Sequence, residues 1–533
     1  MPNRSRQGLP IASVAIAALA LGLAAIGRGE PPRAQPVPQD AKPKGGPPTP
    51  EWATAQSCNT CHRPQKPGDQ SITDFVLLTE FDIWKASDKH HEGFESLKNE
   101  RGQEMQRRLD WKDVTTDARC LNCHAPAAAL APKDTEAIAE GVSCVACHGA
   151  NKEWVETHGG LGNKTKQEVW IDTPAEVKRD KFGMTDLRDP AVRAKTCSSC
   201  HVGDKDKDRV VSHEMYAAGH PPLPGFEVST FSEAEPPHWQ AMKDVAYLKL
   251  SDSALMKKYG VQQFNEQKPR FEALRKNYRV DEFPTQQAKL VSVGGVVTFR
   301  EAMNLFAATA PTDRSANPEF ARFDCASCHH ELAVSEDSFR QARGFVADPG
   351  RPPAADWPAA LVSIAIAAGE PDDAKAKVKM DELGRRLETF RRAVAKVPFG
   401  GDDKAAIAEA KALATWADGL VTELDARKFD TADALRILKQ ITTIQPPDHA
   451  SARQLAWAFR SVHNELGDKS PNAKEITATV DQLVESLGIR LQKGSKPDTI
   501  EREVGARLDA DDKFKPDDVK RLFARLAELL RSR

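Results

Sequence analysis

The chain has 533 residues, 29% of them charged, and a formal net charge of −2. Acidic and basic side chains nearly cancel and no basic tract stands out, which removes the electrostatic case for nucleic acid as a partner. The length allows two or three domains with cores of their own, and the composition is that of a soluble, partly loop-rich protein rather than a membrane-embedded one.

At the N-terminus, Arg4 and Arg6 precede an apolar run from Leu9 to Ile26, and Gly27-Arg28-Gly29-Glu30 follow it. A basic segment before an Ala/Leu-rich stretch is the pattern of a secretory signal. The run is also long enough to remain as a single membrane anchor. Residues 1–30 are therefore read as a signal peptide or an N-terminal anchor. Both readings make the rest of the protein exported, periplasmic or otherwise outside the cytoplasm, and the second tethers it to the cytoplasmic membrane. Residues 31–50 are Pro-rich, a linker unable to bury a core.

The ten cysteines fall into five pairs of identical spacing, each followed directly by histidine. They are Cys58-Asn-Thr-Cys61-His62, Cys120-Leu-Asn-Cys123-His124, Cys144-Val-Ala-Cys147-His148, Cys197-Ser-Ser-Cys200-His201 and Cys325-Ala-Ser-Cys328-His329. This is the C-x-x-C-H haem attachment pattern. Two thiols three residues apart can add to the two vinyl groups on one porphyrin edge, and the next residue's imidazole then binds the iron axially. Zinc sites use C-x-x-C without needing an immediate histidine or five identical copies. Disulfides within the pairs would be strained and would not require histidine. A thioredoxin-like motif would occur once, in a βαβ setting. The expected cofactor is five covalent haem c groups, with His62, His124, His148, His201 and His329 as proximal ligands.

Sixth ligands come from the same stretch. Residues 51–345 hold twelve of the fourteen histidines, and only His449 and His463 lie beyond. In Phe81–Leu97, helical spacing puts Trp84 and His90 on one face and turns His91 towards solvent. His158 follows the third motif closely. His213 and His220 are seven apart, and Gly219 and Pro221-Pro222 stop a helix near His220, so the two imidazoles serve different haems. His238 and His330 are further candidates. None of the methionines is favoured over these histidines.

The stretches "WKASDKHHEGFESL", "RCLNCHAP", "EGVSCVACHG", "TCSSCHVG", "HEMYAAGHP" and "FDCASCHHEL" in this order resemble the cytochrome c554 family of multihaem cytochromes. The haem packing of that family is similar to that of hydroxylamine oxidoreductase and the pentahaem nitrite reductases. The resemblance spans residues 58 to about 335. It implies that His90, His158, His213 and His220 are distal ligands and that one haem, mapped here to His124, is five-coordinate. The family type carries four haems where this chain has five motifs.

Two functions follow, and they differ at the iron. Bis-histidine haems are saturated and pass electrons, whereas an open iron would let a small nitrogen or oxyanion species bind. The C-x-x-C-K motif of the nitrite reductases is absent, since all five motifs end in histidine. The cross-linking tyrosine of hydroxylamine oxidoreductase has no assignable equivalent among Tyr216, Tyr247, Tyr259 and Tyr278. An electron carrier exchanging electrons with redox partner proteins is the expectation. An oxidoreductase acting at one five-coordinate haem is the alternative.

From about residue 346 cysteine disappears and apolar residues recur at helical spacing. Ala376, Met380, Leu383, Leu387, Phe390, Val394 and Val397 form one amphipathic stripe. Shorter stripes run through Ile407–Leu424, Leu455–Leu466, Ile476–Leu487 and Asp517–Leu529. The fold expected is a mostly α, loop-rich multihaem cytochrome c domain over 51–345, followed by an α-helical bundle over 346–533. His463 is read as packing in that bundle.

Overall fold

The computed structural model describes residues 52–63, 79–150, 152–159, 170, 173–239, 251–277, 285–311, 319–329, 352–396, 403–488 and 503–531. The chain divides into two units, Met1–Gly46 and Pro47–Arg533, and every described residue belongs to the second. The signal or anchor segment, the linker and His330 lie outside the described residues. Among the described residues there are helices and no strands, as the sequence leads one to expect.

The main core forms around the helix Gln286–Thr309, whose residues from Ala288 to Phe299 are all buried. By length and composition this helix could cross a membrane, but it is packed inside the protein. It lies against Lys404–Asp425 and against Pro190–His201, which carries the fourth motif. Two adjacent glycines let it approach two further segments closely. A Cβ on Gly294 would stand 2.2 Å from Val228 Cγ1, and one on Gly295 2.6 Å from Leu361 Cβ. The central helix is thus fixed against Val228 and Leu361 by backbone-close packing.

The C-terminal helices follow their stripes. Asp373–Lys396 buries Ala376, Leu383, Phe390 and Val394, Lys404–Asp425, Ala473–Ser486 and Pro516–Arg531 each bury one face, and His449–Leu466 is buried nearly all round. Three further helices, Val362–Gly369, Thr431–Ile441 and Val504–Asp512, were not foreseen. Thr431–Ile441 begins with a capping box between Asp430 and Asp433, and Val362–Gly369 is apolar all round and fully inside. One hydrophobic cluster runs from Ala194 to Leu530. The core is therefore continuous across residue 345, where the sequence suggested a boundary. The segment from Trp52 to Ala218 instead holds several small clusters, such as Trp52, Trp154 and Trp170 or Leu97, Val114 and Leu121.

His463 and His449 are internal to the helical part. The His463 ring is paired with Ser470 Oγ at 3.1 Å and Thr477 Oγ1 at 3.0 Å, and His449 Nε2 donates to Leu487 O at 3.0 Å.

Candidate haem sites

Every C-x-x-C-H lies on a helical turn. The second, third and fourth motifs end the helices Ala118–His124, Cys144–His148 and Pro190–His201. The first follows Ala55–Asn59, and the fifth is a single 3-10 turn, Cys325–Ser327. His62 N donates to Cys58 O at 2.9 Å, and His329 N to Cys325 O at 2.9 Å. One turn brings the histidine beside the first cysteine, four residues back. The turns are capped by their own sequence. The Asp117 carboxylate accepts from Arg119 N, while Asp189 accepts from Ala191 N and Val192 N ahead of Pro190. None of the ten cysteines forms a disulfide.

Each of these five histidines faces another histidine from elsewhere in the chain. Ring centroids are 6.1 Å apart for His62–His158, 6.4 Å for His124–His220 and 6.4 Å for His148–His238. They are 6.2 Å apart for His90–His201 and 6.1 Å for His213–His329. A metal–imidazole bond is about 2.0 Å and a ring centroid lies roughly 1.2 Å from its ligating nitrogen, so two imidazoles on opposite sides of one metal stand about 6.4 Å apart. All five separations fit that value, so the residues fit a haem iron between each pair.

The pairing separates the sequence candidates. His90, His158, His213 and His220 each stand opposite a motif histidine, and His213 and His220 serve different motifs. His238, only a secondary candidate, is the partner of His148. The resemblance marked His124 for an open iron, and there the His220 ring stands opposite instead. His90 is not on a helix with Trp84. The helix Glu80–Ser87 ends three residues earlier, and His90 sits in the turns that follow. His91 does not point to solvent: its ring packs 4.4 Å from Trp84, with Nδ1 buried.

The ring nitrogens are oriented from behind. His124 Nδ1 donates to Gly93 O at 2.9 Å, His158 Nδ1 to Val155 O at 2.8 Å, His220 Nδ1 to Pro221 O at 2.7 Å and His238 Nδ1 to Pro236 O at 3.2 Å. His62 Nδ1 meets Glu80 Oε2 at 3.3 Å, and His90 Nδ1 meets Asp88 Oδ1 at 3.1 Å and Glu235 Oε1 at 3.3 Å. With Nδ1 committed, Nε2 is the nitrogen left for a metal, which is how ligating histidines are held. Burial pushes His148, His201 and His220 down to about 4, so these rings are neutral, the form that binds metal.

Residues 57–149 match the family of cytochrome c554 and c-prime. The match covers the first three motifs and His90. The match likens this segment to c-type cytochromes, which bind haem covalently through C-x-x-C-H motifs and transfer electrons. No curated protein and no solved structure matches the chain.

The cytochrome motifs also adjoin one another. The Cys58 and Cys144 sulfurs lie within hydrogen-bonding reach, as do those of Cys123 and Cys200. Cys147 is within electrostatic range of Cys197. Arg209 bonds Asn122 O at 2.8 Å and Ser199 Oγ at 2.6 Å, tying the second motif to the fourth. The short helix His213–Ala218 joins the second motif to the fifth, since His213 faces His329 and His220 follows the helix after Gly219.

The sequence reading missed the carboxylates behind the rings: Glu80, Asp88 and Glu235. Asp88 could have been found, because it lies two residues before His90 and caps its N–H at 2.9 Å. Glu235 had no local signal.

Proposed function

We propose that the chain is an exported five-haem c-type cytochrome in which every iron is held by two histidines and electrons pass between redox partner proteins. One observation carries this: each of the five motif histidines faces a different second histidine at 6.1 to 6.4 Å. Haem supplies reversible one-electron chemistry, and an iron with two imidazoles offers no place to a substrate.

The chain's own residues do the rest. Cys58, Cys61, Cys120, Cys123, Cys144, Cys147, Cys197, Cys200, Cys325 and Cys328 are the thioether anchors. His62, His124, His148, His201 and His329 are the proximal ligands. His158, His220, His238, His90 and His213, in that order, are their distal partners. The small apolar clusters between Trp52 and Ala218 suit a domain whose core is completed by flat apolar rings. The motif contacts support a continuous series running first, third, fourth, second and fifth. The alternative, an oxidoreductase with an open iron at His124, is not favoured because His220 stands opposite that ring. Export rests on the basic and apolar pattern up to Ile26, and a retained Leu9–Ile26 segment would tether the protein to the cytoplasmic membrane.

Pyridine haemochrome analysis and intact mass of the purified protein test this reading. We expect five covalently attached haems per chain. Fewer than five would overturn the proposal.

A further inference from the structure

Five of the six ring nitrogens described above from behind meet a neutral carbonyl or a single carboxylate, and one meets two. His90 Nδ1 lies 3.1 Å from Asp88 Oδ1 and 3.3 Å from Glu235 Oε1. Asp88 is buried, with its side chain 7% exposed, and Glu235 is 29% exposed, so water screens the first charge little. The position is shared between two sites. Asp88 is also within electrostatic range of His238, the partner of His148. Both carboxylates are within range of Cys147, and Glu235 within range of Cys197. One buried and one part-exposed carboxylate therefore stand at the junction of the third and fourth motifs.

An oxidised haem iron carries one more positive charge than the reduced one. Anions fixed nearby stabilise the oxidised form, and a carboxylate accepting from the ligand's far nitrogen makes that ligand a stronger donor. Both effects lower the reduction potential. We infer that Asp88 and Glu235, converging on His90, give the His90–His201 site the most negative potential in the protein and lower that of the adjacent His148–His238 site. His62 meets only Glu80, and at 3.3 Å, so its site comes next. The His124–His220 site, where both far nitrogens meet carbonyls, is higher. The inference rests on the proposed bis-histidine reading. It adds to that reading a thermodynamic profile with its lowest point inside the series rather than at an end.

The test is an EPR-monitored redox titration of the holoprotein with Asp88→Asn, Glu235→Gln and Glu80→Gln variants. Asparagine at 88 keeps an acceptor for His90 N–H, so the loop is preserved while the charge is removed. Ring planes label the sites. His90–His201 and His148–His238 cross at 81° and 83°, and His62–His158 at 32°. Near-perpendicular axial imidazoles give strongly anisotropic low-spin signals, and nearly parallel ones give ordinary rhombic signals. The lowest couple should belong to the strongly anisotropic class and shift to more positive potential in Asp88→Asn and in Glu235→Gln. In Glu80→Gln a rhombic component should shift instead. A lowest couple in the rhombic class, or one unmoved by both substitutions at its junction, overturns the inference. Should Asp88→Asn fail to mature, Glu235→Gln decides alone. A wild-type protein with fewer than five bis-imidazole signals would mark failure of the underlying reading instead.

Discussion

Replacing His220 with alanine should create an open iron opposite His124. The His220→Ala holoprotein is expected to show a new high-spin ferric signal and to bind cyanide or nitric oxide at that one site, with the remaining low-spin signals unchanged. The geometry gives this residue sole charge of the position. Its ring stands 6.4 Å from that of His124, and its Nδ1 is fixed by Pro221 O at 2.7 Å. Gly219, at a φ of 118°, turns the chain out of the helix so that the ring can reach across. His220→Met should keep the site low-spin and raise its potential, because a thioether replaces an imidazole. His463→Ala is the control: its ring bonds Ser470 and Thr477, so its loss should cost about 1–3 kcal/mol of stability and leave the haem spectra alone. A His220→Ala protein that stays wholly low-spin and indifferent to cyanide would remove His220 from the ligand set.

Breaking the Arg322–Asp403 pair should be the most costly change to stability. Their side chains are 5% and 2% exposed, and Arg322 Nη2 meets Asp403 Oδ2 at 2.5 Å. The guanidinium also lies over Phe306 and Phe323, 4.9 and 4.8 Å from the ring centroids. The pair joins the segment entering the fifth motif to the start of Lys404–Asp425. Removing one partner leaves a buried, uncompensated charge, so Arg322→Met is expected to lose about 3–5 kcal/mol in denaturant unfolding. Arg322 Nε and Nη1 are buried without a hydrogen-bond partner, so the pair gains little beyond one contact. The double variant Arg322→Met/Asp403→Leu should therefore recover most of the loss. A double variant as unstable as the single would show that packing of the guanidinium on the two rings, not charge, sets the cost.

Covalent attachment was legible because its chemistry is local. Cys-x-x-Cys-His fixes the thiol spacing and the proximal ligand within one helical turn, so no tertiary information is needed. Distal ligation is not local. His238 follows Pro236-Pro237, with no helical face to rank it, and only the fold reveals that it meets His148 from ninety residues earlier in the chain. His90 was found for an imperfect reason. Helical spacing pointed to it, but the helix ends at Ser87, and the turn that aims it is held by Asp88. Asp373–Lys396, Lys404–Asp425, Ala473–Ser486 and Pro516–Arg531 were legible because each keeps a solvated face. Gln286–Thr309 and Val362–Gly369 were not, since a helix buried on all sides shows no stripe, and the β-branched run at Val291–Val297 adds no helical signal. Glu235 shows the same limit at the site, where its place beside His90 depends on how Val228–Ala234 packs on Gly294 of the central helix.

The claim that all five irons are saturated is tested most directly by EPR of the oxidised wild-type protein, with and without nitric oxide and cyanide. The account predicts only low-spin signals, unresponsive to either ligand, in two classes. His62–His158 and His213–His329, with planes at 32° and 26°, should give rhombic spectra. His124–His220, His148–His238 and His90–His201, at 80°, 83° and 81°, should give strongly anisotropic ones. A high-spin ferric signal that disappears when cyanide or nitric oxide is added would contradict it.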